Sequence, residues 1–323
     1  VAAPNIASTL NQVGNREDLT DVIHRVAPEK TPLISLIGRG KAKARQHDWQ
    51  VEDLAAPNGN NAQLEGDDVG TLDNPNVSER LANYCQIFRK TGGVSRTQEQ
   101  VDKAGRKSEM TRQKVLKGIE LRRDKEARYC GNYGSKAEAA GPPAVPRESA
   151  GLLAWMETNT NRGAGGADGG FSNGIVSPAT NGTLRTFTEA QVKAVQADRF
   201  AASGSTDGAV AMMGGALKQK FSEFTGIADI RKDVTRGMAT IVAGAEVYVS
   251  DFGELRLVPH PYAFARDCAI IDPSMLSDAL LDGYQTEPLA KTGDNERFMM
   301  IAESTLEMKN EKAHGVVADI KAA

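Results

Sequence analysis

The chain has 323 residues, of which 40% are apolar and 25% charged, and a net charge of −3. Its length suits one large domain or two intertwined ones, and no apolar run approaches the roughly 20 residues of a membrane span, so no membrane partner is expected. The near-neutral balance removes the simplest electrostatic basis for tight nucleic-acid binding, so any DNA contact should be weak and non-specific.

Cys85, Cys130 and Cys268 are odd in number, widely spaced and without a histidine nearby in sequence. They read as reduced core thiols, and neither a disulfide framework nor a zinc site is favoured. The start, Val1 to Ser8, lacks the basic segment and apolar run of a secretory signal, so export is not indicated.

The first predicted helix opens at Asn15-Arg16-Glu17-Asp18, an Asn cap followed by acids, and carries Leu19, Val22, Ile23 and Val26 at helical spacing until Pro28. After Pro32, the apolar patch Leu33 to Ile37 closed by Gly38 reads as one more turn packed on something. These residues make an arm, not a core.

From Lys41 to about Lys90, two polar strand candidates, Ala44–Val51 and Ser78–Phe88, flank a centre rich in turn-forming residues, Pro57-Asn-Gly-Asn-Asn61 and Glu65-Gly-Asp-Asp68. They form the legs of a long hairpin whose faces alternate poorly. A two-stranded ribbon of this kind is marginal alone, so it should lie on another surface, most plausibly a neighbouring subunit's.

The longest helix is predicted from about Gln98 to Cys130, with Val115, Leu116, Ile119, Ala127 and Cys130 near one face. Gly105 or Gly118 is its candidate break. Acids and bases at helical pair spacing from Glu120 to Arg128 predict a largely exposed surface. Residues 135–182 read as loop, with an apolar strand or turn at Leu152–Met156 and a glycine cluster at Gly163–Gly170.

Thr188-Glu-Ala-Gln191 is a capping-box pattern that opens a helix to Ala202, with Asp198 and Arg199 expected to face solvent. Ala209–Met213 reads as a buried strand feeding a helix with Leu217, Phe221 and Phe224 on one face and Gly226 past its end. Strands follow at Glu246–Val249, Leu255–Val258 and Cys268–Asp272. The clearest alternation runs through Phe298, Met300, Ala302, Leu306 and Met308, and a last strand is predicted over Gly315–Ile320.

No catalytic, cofactor-binding or metal-binding residue is assigned. Asp251-Phe252-Gly253 matches a kinase metal-binding tripeptide, but no Gly-rich nucleotide loop accompanies it, and it reads as a hairpin turn. The Gly163–Gly170 cluster lacks the Lys-Ser/Thr of a phosphate loop. His24, His47, His260 and His314 stand singly, without a second ligand at metal spacing, and no Gly-x-Ser-x-Gly elbow occurs. Ala290–Asp294 is read as a polar loop between strands.

One basic set stands out: Arg39, Lys41, Lys43 and Arg45 recur at every second position, which on a strand places all four on one face. It could touch DNA or a neighbour's acids, and Glu65, Asp67, Asp68 and Asp73 in the same excursion make contacts between copies the more economical of the two. A solvated face with no partner stands equal to the contact reading. The candidate inter-subunit residues are thus Arg39, Lys41, Lys43, Arg45, Trp49, Glu65, Asp67 and Asp68.

The α+β element order resembles the Hong Kong 97-type capsid fold. Leu217–Gly226, Val247–Gly253, Val258–His260, Gln285–Asp294 and Asn310–Gly315 resemble major head proteins of tailed phages, a similarity spanning nearly the whole chain. The resemblance implies an N-terminal arm (1–40), an extended hairpin loop (41–92), a spine helix with the first part of a peripheral domain (93–205), an axial domain (206–290) and final peripheral strands (291–323). It further implies homo-pentamers and homo-hexamers in a virion shell assembled in the bacterial host cytoplasm. Portal, scaffolding and decoration proteins would be partners, and the extended loop would lie over the adjacent subunit. Some relatives crosslink a loop lysine to a neighbour's asparagine, a role for which Lys41 or Lys43 would be the candidate here, though nothing in the sequence requires it. The competing readings are an encapsulin-like nanocompartment shell and a mixed-fold enzyme.

Overall fold

A computed structural model of the protein describes residues 27–66, 68, 70, 72–204, 208–224 and 246–322. In chain order it begins with helix α1 (Pro32–Leu36), strands β1 (Gly38–Lys41), β2 (Gln46–Val51), β3 (Glu79–Tyr84) and β4 (Gln86–Ser95), and helices α2 (Arg96–Gln100) and α3 (Glu109–Cys130). Short pieces follow: α4 (Leu152–Trp155), β5 (Thr160–Asn161), β6 (Gly170–Ser172), β7 (Ile175–Ser177) and β8 (Arg185–Thr186). The remainder holds α5 (Glu189–Ser203), β9 (Ala209–Gly214), α6 (Gly215–Phe221), β10 (Val247–Ser250), β11 (Gly253–His260) and β12 (Cys268–Ile271), then β13 (Leu276–Leu289), β14 (Asn295–Met308), β15 (Gly315–Val317) and β16 (Ile320–Lys321).

Two sheets organise these elements. The first has the order β1-β13-β14-β4, antiparallel except for the parallel pair β1 and β13. Helix α3 lies across one face of it. Tyr129 meets Phe88 edge-on at 6.4 Å, Lys114 sits over the Phe298 ring, and Leu121, Ala302, Leu306 and Trp155 share the same apolar core. The second sheet has the order β10-β11-β9-β12-β15-β5, and α5 and α6 pack on it through Val192, Val195, Leu217 and Phe221 against Met213, Leu257 and Ile270. The two clusters supply the burial that stabilises the fold.

Local chemistry explains much of this pattern. The capping box forms as its sequence predicts, with the Thr188 N–H donating to the Gln191 side chain, and α5 ends on Gly204 at φ +66°, where a Cβ would be strained. Gly105, at φ +72°, separates α2 from α3, so the predicted long helix begins at Glu109; Gly118 is absorbed into α3. The helical turn at Leu33 to Leu36 and the hairpin turn at Asp251-Phe252-Gly253 also match expectation.

Other expectations are corrected. Arg199 is 3% exposed, because its Nε donates to the Ala313 carbonyl. Of the strand or turn expected at Leu152–Met156 it is the turn that forms, as a buried helical one over Leu152–Trp155. Val115 is 49% exposed, whereas Lys125 and Glu126 occupy the buried face of α3. The second hairpin leg ends at Tyr84, since Cys85 breaks the pairing and Gln86 onward joins the first sheet. Strand β13 carried no alternation and was not expected, and the last predicted strand splits at Asp319, which has φ +58°. The predicted helix at Asn15–Val26 and Gly226 lie outside the described residues.

Gly92 is required by a close approach. A Cβ there would meet the Phe298 ring at 2.5 Å, in a sheet where Gly92 stands directly opposite Phe298. Gly92→Ala should therefore displace Phe298 and destabilise the subunit by about 1–3 kcal/mol. A lower thermal unfolding midpoint checks this.

Candidate functional site

Strands β2 and β3 pair from Gln46 opposite Tyr84 to Val51 opposite Glu79. Their base is fastened to the subunit. The Trp49 ring lies 5.4 Å from Trp155, the buried Asn83 donates to the Leu306 carbonyl and accepts from the Ala150 N–H, and Arg147 Nε donates to the Cys85 carbonyl. Trp49 is thus half-buried against its own subunit.

Past Val51 the anchoring ends. Every described residue from 52 to 78 is exposed and none is in a strand. Leu54, Leu64, Leu72 and Val77 are 79–87% exposed, four large apolar side chains in one segment. Scattered single exposures need no explanation, but this concentration has the composition of an interaction surface.

The four basic residues separate. Arg39 and Lys41 lie on β1, but Ala42 is buried and bonds to the Leu280 carbonyl, and the chain bends at Ala44 and Arg45. They therefore do not share one strand face, although all four are exposed. Glu65 and Asp68 are exposed in the loop, as is Asp73, and Asp67 lies outside the described residues.

Beneath this surface α3 carries a polar cluster that sequence reasoning missed. Lys125 is fully buried, with Nζ 2.6 Å from Asp278 Oδ2, and the Tyr129 hydroxyl donates to Asp278 Oδ1. Burial holds the Lys125 ammonium below its ordinary range against the stabilising pull of Asp278, and pushes the Tyr129 phenol well up. Its neighbour Glu126 faces another way. It accepts the N–H groups of Leu33 at 2.6 Å and Ile34 at 2.9 Å, donors at the start of α1 that have no intrahelical partner, and lies 3.1 Å from His260 Nε2.

Glu126, Cys130 and His260 bring ligand atoms within 4.8 Å of one another, all buried. A carboxylate, a thiol and an imidazole are a zinc-type set. The hydrogen bonds assign them otherwise. His260 Nδ1 accepts the Ala263 N–H at 2.9 Å, which places the ring proton on Nε2, where it points at Glu126. A cation on Nε2 would move that proton to Nδ1, against the Ala263 donor. Burial also pushes the Cys130 thiol well up, away from the thiolate a metal needs. The cluster is a latch that ties α1 to α3. Only Glu126 and Cys130, four apart on one helix, offered a sequence signal, and His260 comes from a distant strand.

The chain matches the family model described as SU10 major capsid protein over residues 6–321. It belongs to that family. Of curated proteins, the family member resembles the major capsid protein of Escherichia phage Phieco32, 29% identical over 197 residues, which cover 56% of this chain and 53% of that protein. The chain thus spans about half the length of the curated relative it matches. Among solved structures it is similar to the capsid of cyanophage A-1(L), with TM-score 0.64, 11% identity and coverage of 97% and 98% of the two chains. It is also similar to the capsid of a native GTA particle (0.60, 12%, 98% and 99%) and to the SrpI encapsulin of Synechococcus elongatus PCC 7942 (0.54, 9%, 96% and 94%). The fold of this capsid-family chain is Hong Kong 97-like and α+β.

Two outcomes follow from the buried groups. Glu126→Ala leaves His260 and two amides unpaired, so it should cost about 3–5 kcal/mol and open residues 27–40 to limited proteolysis, with Glu126→Gln milder. His314 is buried and its pKa falls from 6.5 to about 3, chiefly through desolvation. The unfolded chain therefore takes up a proton that the folded one refuses once pH drops below 6.5. Stability should fall by about 1.4 kcal/mol per pH unit from there toward pH 3, and His314→Gln should flatten that slope in denaturant titrations at pH 7 and 5.

Proposed function

We propose that the protein is the shell-building subunit of a phage head, assembling as homo-pentamers and homo-hexamers around packaged double-stranded DNA and performing no catalysis. The observation that carries this reading is the loop 52–78. It leaves the subunit with four bare apolar side chains, and burying each contributes roughly 1.5–3 kcal/mol. No surface of the same subunit covers them among the described residues, so a neighbour's does. Folding of the loop and growth of the shell are then thermodynamically linked, and many weak contacts add up.

Within this reading residues 1–40 act as the arm, 41–92 as the extended loop, 93–205 as spine and first peripheral part, 206–290 as axial domain and 291–323 as final peripheral strands. Strand β13, within the fourth segment, pairs into the same sheet as β14, so the peripheral and axial segments are interleaved. Arg39, Lys41, Lys43 and Arg45, with Glu65 and Asp68, serve contacts between copies, and Lys41 or Lys43 is the candidate for any crosslink. Portal, scaffolding and decoration proteins are further partners in the virion, which assembles in the host cytoplasm. The mild negative charge suits a wall that encloses DNA without gripping it.

The likeness to an encapsulin favours a second reading, a cargo-bearing nanocompartment. Particle content separates the two, as packaged DNA marks the phage head and enclosed enzymes the compartment. Deleting residues 55–75 should leave soluble, folded subunits that form no stable shells by electron microscopy. Normal particles from that deletion would rule out the loop as the assembling element.

A further inference from the structure

Asn followed by Gly occurs three times in the chain, at Asn58, Asn173 and Asn181. The pair is chemically labile by itself. A backbone nitrogen that follows an Asn can attack the side-chain amide, and Gly in that place carries no Cβ to block the approach or restrict the rotation it needs. Whether the reaction proceeds depends on the freedom of the two residues, and the fold places the three pairs in different surroundings.

Two of the pairs are held. Asn173 and Gly174 are the central residues of the turn between β6 and β7, at φ +52° and +81°, closed by Ser172 pairing with Ile175. That is the doubly left-handed conformation of a two-residue hairpin turn, and the paired strands fix it on both sides. Gly182 is wedged against the backbone. A Cβ there would meet the Gly163 carbonyl oxygen at 2.5 Å, its own carbonyl accepts from Arg266 Nη2 at 2.9 Å, and the following N–H, of Thr183, donates to the Ala164 carbonyl. Asn58 and Gly59 differ from both. They are exposed, lie outside any strand or helix, and a Cβ on Gly59 would meet nothing within 4 Å. Among the described residues no hydrogen bond engages the Gly59 N–H. The Asn60 N–H donates to Asn58 Oδ1 at 3.0 Å, an Asx turn that folds the side-chain carbonyl back across Gly59. That donor sits where negative charge develops when the amide carbon of Asn58 is attacked.

We propose that Asn58 is a self-modifying site, converted through Gly59 into aspartate and isoaspartate in the free subunit while Asn173 and Asn181 stay intact. The Gly59 nitrogen forms a bond to Asn58 Cγ and gives up its proton, the Cγ–Nδ2 bond breaks, and ammonia leaves, so a succinimide ring closes on the main chain. Solvent water then opens it at either carbonyl. Attack at Cγ leaves aspartate, and attack at the main-chain carbonyl leaves isoaspartate, with the chain running through the former side chain. No oxidant, metal or second protein takes part. The product adds a carboxylate to residues 46–79, which already hold eight Asp and Glu and no Lys or Arg, and the isoaspartate form lengthens the main chain there by a methylene. The age of a free subunit is thereby recorded in this loop. The inference goes beyond the shell-building reading and does not depend on it.

The test follows the full chain, taken as unassembled subunits by size exclusion and held at mildly alkaline pH, with peptide mass spectrometry and isoaspartyl methyltransferase labelling. Asn58 should deamidate at least about tenfold faster than Asn173 and Asn181, with methyl label accumulating in the peptide that contains it. In urea the three rates should converge, because the turn and the wedge that protect the other two are gone. Gly59→Val should slow the reaction at Asn58 at least about tenfold and leave the unfolding midpoint unchanged. The rate in the parent chain should climb with pH as the attacking amide loses its proton more readily. Equal rates at the three positions in the folded chain overturn the inference, as does an Asn58 that persists unchanged. A preference for Asn58 that survives in urea also overturns it, since neighbouring sequence rather than the fold would then set the rate. Shell formation enters none of these readouts, so the shell-building reading stands or falls separately.

Discussion

Two consecutive side chains of opposite charge, Lys125 and Glu126, are buried on α3, and the placement of the surrounding elements depends on them. Lys125 reaches Asp278 on β13 and so seats the helix over the centre of the first sheet. Glu126 reaches the start of α1 and, through His260, the end of β11 in the second sheet. Burying a charge costs several kcal/mol unless its partners are in place, so α3 has few tolerable positions. The pair contributes specificity of arrangement more than net stability. Apolar contacts such as Leu121 and Tyr129 with the sheet supply the attraction, and the charges select the orientation.

The same economy extends outward. The ribbon of β2 and β3 is held at its base by Trp49, Asn83 and Arg147, yet its far end has no packing of its own. Subunit folding thus proceeds to a definite point and stops, leaving apolar and acidic side chains presented together. A surface of that composition is poorly served by water and poorly served by a purely apolar partner.

Much of this was legible from local pattern. The capping box of α5, the strand leading into α6, the alternation of β14 and the turn-rich loop all express rules that act within a dozen residues, and each element formed where expected. What escaped notice depends on tertiary partners. Helix α3 read as charged and exposed because no local rule marks Lys125 and Glu126 as the members that turn inward, and Arg199 was hidden for the same reason. Strand β13 carries Asp278 and Asp282 where alternation calls for apolar residues, and its pairing register shifts at Asp282, which destroys the period-two signal. The four basic residues kept their exposure but lost their common face to one buried alanine, Ala42. The acids of the loop, Glu65, Asp67, Asp68 and Asp73, are by contrast legible in the sequence itself.

The first sheet draws its strands from opposite ends of the chain, with Gly38 opposite Ser277 and Asn295 opposite Ser95. Its two central strands are also the last to leave the ribosome. Until Met308 has been made, β1 and β4 have nothing between them, and the underside of α3 has no floor. Such long-range pairing makes the sheet slow to close and ties its completion to the synthesis of β14. A polypeptide that stops before β13 therefore leaves β1 and β4 unpaired and α3 without the sheet it packs on.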